Sequence, residues 1–112
     1  MRYMLLISAD EDDNATRPAA DEVGRFPAWL AELEGRGVLE VHAGLQPSPT
    51  ATTVQVRGDE MLLTDGPFVE GREQVGGFAL IDVANLDEAI AIAAAHPAAA
   101  FGRIEIRPVR GE

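Results

Sequence analysis

Cysteine is absent from all 112 residues, which excludes disulfides, thiolate metal sites and cysteine nucleophiles and gives no sign of an oxidising compartment. Basic residues are scarce: nine Lys+Arg stand against nineteen Asp+Glu, a net charge of −10. Such a surface repels phosphate backbones and anionic membranes, so nucleic acid and membrane partners are disfavoured. Long hydrophobic runs are missing too. The apolar stretch from Tyr3 to Ala9 ends in Asp10-Glu11-Asp12-Asp13, too short to span a bilayer and without a small-residue cleavage site. A cytoplasmic protein is expected. Histidine is limited to His42 and His96, with no paired metal-ligand spacing, so no metal and no cofactor is expected. A chain this long holds one domain around one core, taken as residues 1–112.

What is present reads as alternating strands and helices. Tyr3-Met4-Leu5-Leu6-Ile7 and Gly77-Phe78-Ala79-Leu80-Ile81-Asp82-Val83 are apolar at odd and even positions alike, the mark of central strands covered on both faces. The acidic run from Asp10 to Asp13 has no periodicity and no calcium-loop spacing, and is read as a solvated loop. From Asp21 a helical pattern places Val23, Phe26, Leu30 and Leu33 on one side, with Pro27 either kinking the helix or starting it, and Gly35 and Gly37 ending it. Val38 to Gly44 alternates, with Leu39, Val41 and Ala43 on one face and Glu40 and His42 on the other. Thr52 to Val56, Gly58-Asp59 and Met61 to Leu63 form a hairpin. Asn85 caps a helix with Glu88 reaching back, and Leu86, Ala89, Ile90 and Ala93 supply its buried face until Pro97. His96, in the last turn, has the place of a cation at the negative end of the helix dipole. Arg103 to Arg107 closes the chain as a strictly alternating strand.

This order predicts an α+β fold of ferredoxin-like βαββαβ topology with an inserted β-hairpin, helices covering one sheet face. Polar alternation at Glu40/His42 and at Arg103/Glu105/Arg107 suits the two edge strands. The middle of the helix-free face remains apolar, which predicts a homodimer with the two sheets facing each other. His42 would then face the interior between them.

Site-like chemistry concentrates from Thr64-Asp65-Gly66-Pro67-Phe68-Val69-Glu70 through Arg72-Glu73-Gln74 to Gly76-Gly77-Phe78. Gly66 precedes a proline and permits extended or left-handed backbone, forcing a bend at Asp65. Two roles are open to that carboxylate: capping the turn, or acting as general base if an apolar pocket raises its pKa. His42 could carry protons beside it, or be an exposed edge-strand histidine. Phe68, Glu70, Arg72 and Glu73 are candidates for holding a polar ligand, against the alternative of a solvated salt-bridge network. The glycines from Gly71 to Gly77 form no phosphate cradle, because a strand follows and no lysine with Ser/Thr does.

The Asp65-Gly66-Pro67-Phe68 and Gly76-Gly77-Phe78 blocks, together with Arg2-Tyr3-Met4-Leu5-Leu6-Ile7, Gly44-Leu45-Gln46-Pro47, Leu86-Asp87-Glu88-Ala89 and Ile104-Glu105-Ile106-Arg107-Pro108-Val109, resemble the DGPF branch of the YCII-related proteins. The resemblance covers nearly the whole chain and is weakest from Asp10 to Arg25. It implies a ferredoxin-like fold pairing as a dimeric α+β barrel, and often a gene neighbourhood shared with an extracytoplasmic-function sigma factor. Relatives in the broader group are similar to muconolactone isomerases, and one branch is a dehydrochlorinase using a histidine and aspartate pair. Asp65 matches the aspartate of the DGP turn. That branch's first-helix histidine would fall near Phe26 to Leu30, where this chain has Trp29 and no imidazole, so the pair does not carry over intact.

Two functions compete on these grounds. One is a non-catalytic small-ligand-binding or accessory protein, with a pocket near Asp65 taking a small organic acid. The other is a cofactor-free lyase or isomerase using Asp65, with His42, for acid–base chemistry.

Overall fold

A computed structural model describes residues 1–11, 24–69 and 71–111. Among them the elements run β1 (Arg2–Asp10), α1 (Phe26–Arg36), β2 (Leu39–Gly44), β3 (Thr52–Arg57), β4 (Glu60–Asp65), β5 (Glu73–Asp82), α2 (Leu86–Ala95) and β6 (Arg103–Pro108). Four strands make one antiparallel sheet in the order β2-β5-β1-β6, and β3 pairs with β4 as a separate hairpin. This is the ferredoxin-like α+β arrangement. The two doubly apolar strands, β1 and β5, are central, and the two that alternate are edges. The acidic run is not all loop, since Asp10 belongs to β1; Asp12 and Asp13 lie outside the described residues.

The pleat sorts β1 by parity. Tyr3 and Leu5 are buried with Ala79 and Ile81 beneath the helices, while Met4 and Leu6 pair with Leu80 and Phe78 on the helix-free face and are only half-buried. On β6, Ile104 and Ile106 pack against the core, and Arg103, Glu105 and Arg107 are exposed.

Straight alternation fails on β2. Leu39 pairs with Ile81 but Val41 pairs with Leu80, so Glu40 is an extra residue and the strand bulges there. His42 consequently stands opposite Ala79, a core residue, and Ala43 opposite Phe78. His42 therefore shares the helix-covered face with Leu39, not the helix-free face expected from the pattern.

Pro27 occupies the first turn of α1, so it starts the helix and does not kink it; Gly35 is helical, and the chain leaves through Gly37 at φ 71°. The expected helical positions Asp21 and Val23 lie outside the described residues. Trp29 and Leu33 are the buried side chains of α1, with Phe26 and Leu30 packed beside them. At α2 the reciprocal cap forms: Asn85 Oδ1 accepts from Glu88 N–H at 2.9 Å and Glu88 Oε2 accepts from Ala84 N–H at 3.0 Å. Arg36 Nη2 reaches Glu88 Oε1 at 2.8 Å, tying the two helices together. The buried face of α2 is Ala89, Ile92 and Ala93, whereas Leu86 and Ile90 are about half exposed. Trp29 selects that face, because its Nε1–H donates to the Ile92 carbonyl at 2.9 Å.

Candidate functional site

Between the helix-covered sheet face and the helices lies a cavity of about 420 Å³. Ile7 and Ala9 continue the inward parity of β1 beyond the packed core, and Gly76 and Gly77 leave the facing part of β5 without bulk. Gly76 is an extra residue opposite Ile7/Ser8, so Gln74 returns to the cavity side beside Ala9. Phe26, Trp29 and Leu30 close the space from α1, and the turn after α2 closes it with His96, Pro97 and Ala98. The small residues open the room and the aromatics give it apolar walls.

His96 is buried, with 7% of its surface exposed. Its Nδ1 accepts from Ala98 N–H at 2.9 Å and so carries no proton; the neutral ring then bears its hydrogen on Nε2. Burial among apolar groups lowers its pKa from 6.5 to about 4, so neutrality holds at pH 7. Among the described residues, Nε2 is buried without a hydrogen-bond partner. Trp29 and Phe26 flank the imidazole, with ring centroids 4.6 Å and 5.5 Å away. His96 is thus a neutral buried donor, not the helix-end cation expected.

His42 lines the same cavity from β2 and is exposed at its edge. Two other polar residues of the lining are occupied elsewhere. Both Glu11 carboxylate oxygens accept from Ser48 N–H at 3.0 Å, and Gln74 Nε2–H donates to the Val69 and Gly71 carbonyls at 3.2 Å and 2.9 Å. Glu11 is the one charged residue among the described lining, and no Arg belongs to it.

Asp65 stands outside this cavity. It ends β4 opposite Thr52 and borders a shallower depression of about 350 Å³ with Ser48, Gly66 and Pro67, and Gln74 borders both spaces. The turn is held by backbone and by a hydroxyl: Gly66 N–H donates to Ala51 O at 2.7 Å and Thr53 Oγ1 to Gly66 O at 2.8 Å, with Gly66 at φ 100°. Among the described residues, no N–H donates to the exposed Asp65 carboxylate, so it does not cap the bend. Phe68 is 72% exposed and borders neither space. Arg72 pairs with Asp10 at 3.3 Å and Glu73 with Arg103 at 2.9 Å, an ion-pair pattern on the surface; Glu70 lies outside the described residues. The structure therefore brings His42 together with His96 and Trp29, and sets Asp65 apart from them. A spacing signal for the missed pair existed: 26, 29, 30, 33 on α1, and 89, 92, 93 on α2 with 96 just past its end, are both i, i+3, i+4, i+7 sets. No group of three or more His, Asp or Glu that could hold a metal occurs among the described residues, and no helix there is long and apolar enough to cross a membrane.

Fold and cavity together define a small ferredoxin-like α+β domain with an apolar chamber between sheet and helices. The chain belongs to the YCII-related domain family, whose profile matches residues 1–111. An uncharacterised protein of Rhizobium meliloti (strain 1021) is 42% identical over 77 residues, which is 65% of this chain and 60% of that protein. The match thus spans well under two thirds of that relative's own length. In three dimensions the chain is similar to 5-chloro-2-hydroxyhydroquinone dehydrochlorinase from Burkholderia phenoliruptrix AC1100, in complex with 2,5-dihydroxybenzoquinone, with a TM-score of 0.50 and 16% identity over 100% of this chain and 96% of that one. That likeness concerns the fold.

Proposed function

We propose that this protein is a homodimeric small-molecule-binding domain of the DGPF branch, holding its ligand in the chamber between sheet and helices. The observation that carries the reading is the 420 Å³ chamber itself, walled by Phe26, Trp29, Leu30 and Ile7. Its volume falls in the range of small-molecule pockets, and its apolar walls with a few polar groups are what such pockets use. The pairing of sheets rests on the half-buried Met4, Leu6, Phe78 and Leu80 of the helix-free face. In this reading the domain is a cytoplasmic accessory protein, with its gene set beside that of an extracytoplasmic-function sigma factor.

Calorimetric titration with naphthalene tests the chamber. Saturable binding is expected in the wild type, and Ala9→Phe, which fills the chamber from β1, should abolish it while the fold is retained. Equal binding by both proteins would remove the chamber as the site.

A second reading is carried by His42, an exposed imidazole at the chamber edge, where it can meet both a bound molecule and solvent. It makes the domain a cofactor-free lyase or isomerase. Chloride release from 5-chloro-2-hydroxyhydroquinone by the wild type, lost in His42→Ala, would favour it over simple binding.

A further inference from the structure

A buried donor without an acceptor is costly, and folded proteins carry few of them. His96 Nε2–H is one, in a ring that borders an apolar chamber and whose other nitrogen is already tied to the backbone. Building on the reading that the chamber holds a ligand, we infer that His96 Nε2–H is the polar anchor for an uncharged, flat molecule carrying an acceptor oxygen. A lactone or aryl ketone has that chemistry; an organic acid does not.

Three features of the chamber define the class. The imidazole is flanked by the rings of Phe26 and Trp29, whose planes lie 18° apart, and such aromatic walls suit a planar apolar body. The described lining offers no Arg to neutralise a carboxylate, and its one charge, Glu11, is negative. The ring itself is neutral at physiological pH, so it supplies a hydrogen bond and no charge. A carboxylate entering here would lose its hydration without a counter-charge, which is expensive. A carbonyl oxygen would lose little and would satisfy the donor.

Calorimetric titration with three probes tests this: naphthalene, which has no acceptor; coumarin, which adds a lactone; and coumarin-3-carboxylate, which adds a charge. Wild-type protein should bind coumarin about tenfold more tightly than naphthalene, the worth of one hydrogen bond to a desolvated donor. Coumarin-3-carboxylate should bind more weakly than coumarin. His96→Asn keeps an acceptor near the Nδ1 position for Ala98 N–H but removes the Nε2 donor, and it should bring the coumarin-to-naphthalene ratio close to one. A second measurement needs no variant: coumarin should shift the ¹⁵Nε2 resonance of His96 and slow exchange of its proton in the wild type. A ratio unchanged in His96→Asn with a silent ¹⁵Nε2 resonance, or tighter binding of the carboxylate, would overturn the assignment of His96 while leaving the chamber as the site. Naphthalene and coumarin both failing to bind the wild type would overturn the chamber reading, and this one with it.

Discussion

The indole of Trp29 and the imidazole of His96 meet edge to face, centroids 4.6 Å apart and planes at 73°. Trp29 comes from the first helix and His96 from the turn after the second, so this contact joins the two crossover units over the sheet. Each ring is also tied through a nitrogen: Trp29 Nε1–H donates to Ile92 O of the second helix at 2.9 Å, and His96 Nδ1 accepts from Ala98 N–H in its own turn at 2.9 Å. Packing against an indole is also what keeps the imidazole dry, and dryness is what holds it neutral.

That neutrality has a pH signature. His96 titrates near 4 in the folded chain because burial disfavours its charged form, against 6.5 in the unfolded one. The unfolded state therefore binds the proton first as pH falls. Stability is retained above about 6.5 and declines between 6.5 and 4, by an amount on the order of 1–3 kcal/mol. Urea unfolding at several pH values checks this, with His96→Asn as the reference that lacks the group. The wild-type loss between pH 7.5 and 5 should exceed that of His96→Asn; parallel curves would mean that the buried ring carries its charge in the fold.

Replacing Trp29 by Phe removes the Nε1–H donor and part of the ring that faces His96. Loss of the bond and the void left behind should together cost about 2 kcal/mol. Because Trp29 is the single tryptophan, tryptophan fluorescence vanishes with it, and unfolding is followed by circular dichroism. A midpoint within error of the wild type would mean that α1 is held without this contact.

How far the sequence foretells such contacts varies by element. The doubly apolar strands, the hairpin turn at Gly58-Asp59 and the Asn85/Glu88 cap were legible because each rests on local chemistry: side-chain parity, turn residues, a reciprocal hydrogen bond. His42 was misplaced because one extra residue at Glu40 flips parity, and bulges leave no mark in an alternating pattern. The burial of α2 was misread because Leu86, Ile90 and Ile92 make it apolar on several sides, so periodicity could not choose a face. That choice is tertiary: the bulk and the donor of Trp29 settle it, and His96 follows as the next position on the chosen stripe.

Gly102 lies where β6 approaches β1. A Cβ there would collide with the Ser8 carbonyl oxygen and sit 3.0 Å from Ala9 Cα, both backbone atoms that cannot rotate away. Gly102→Ala should cost about 3 kcal/mol through the displacement it forces. Thermal melting provides the check. Gly76→Ala, whose Cβ would meet nothing within 4 Å, is the control and should melt close to the wild type.

Sheet pairing makes a separate prediction on the helix-free face. Leu80 stands between Met4 and Val41 there, half-buried in one subunit, with Val41 itself 46% exposed. Gel filtration with light scattering should give about twice the 12.0 kDa chain mass at micromolar concentration, since apolar surface left in water costs roughly 25 cal/mol per Å². Leu80→Asp should shift the particle towards a single chain while circular dichroism retains its α+β signature. A wild-type monomer, or a Leu80→Asp dimer, would place the association surface elsewhere.

Asp65 separates the binding and enzymatic readings. Its carboxylate caps nothing among the described residues, and the turn is carried by Gly66 N–H, the Thr53 hydroxyl and a positive φ that only glycine adopts without strain. Asp65→Asn should therefore leave stability within about 0.5 kcal/mol of the wild type, whereas Gly66→Ala should lower it by about 1 kcal/mol or more. The Asp65→Asn variant also carries a functional contrast. If the chamber only binds, Asp65→Asn retains naphthalene affinity, because Asp65 does not line that space. If chloride release from 5-chloro-2-hydroxyhydroquinone is observed in the wild type and falls by about 10² in a well-folded Asp65→Asn, the carboxylate takes part in proton transfer. Within one subunit Asp65 borders a different depression from His42, so such a loss would direct attention to the partner subunit as the source of the second group.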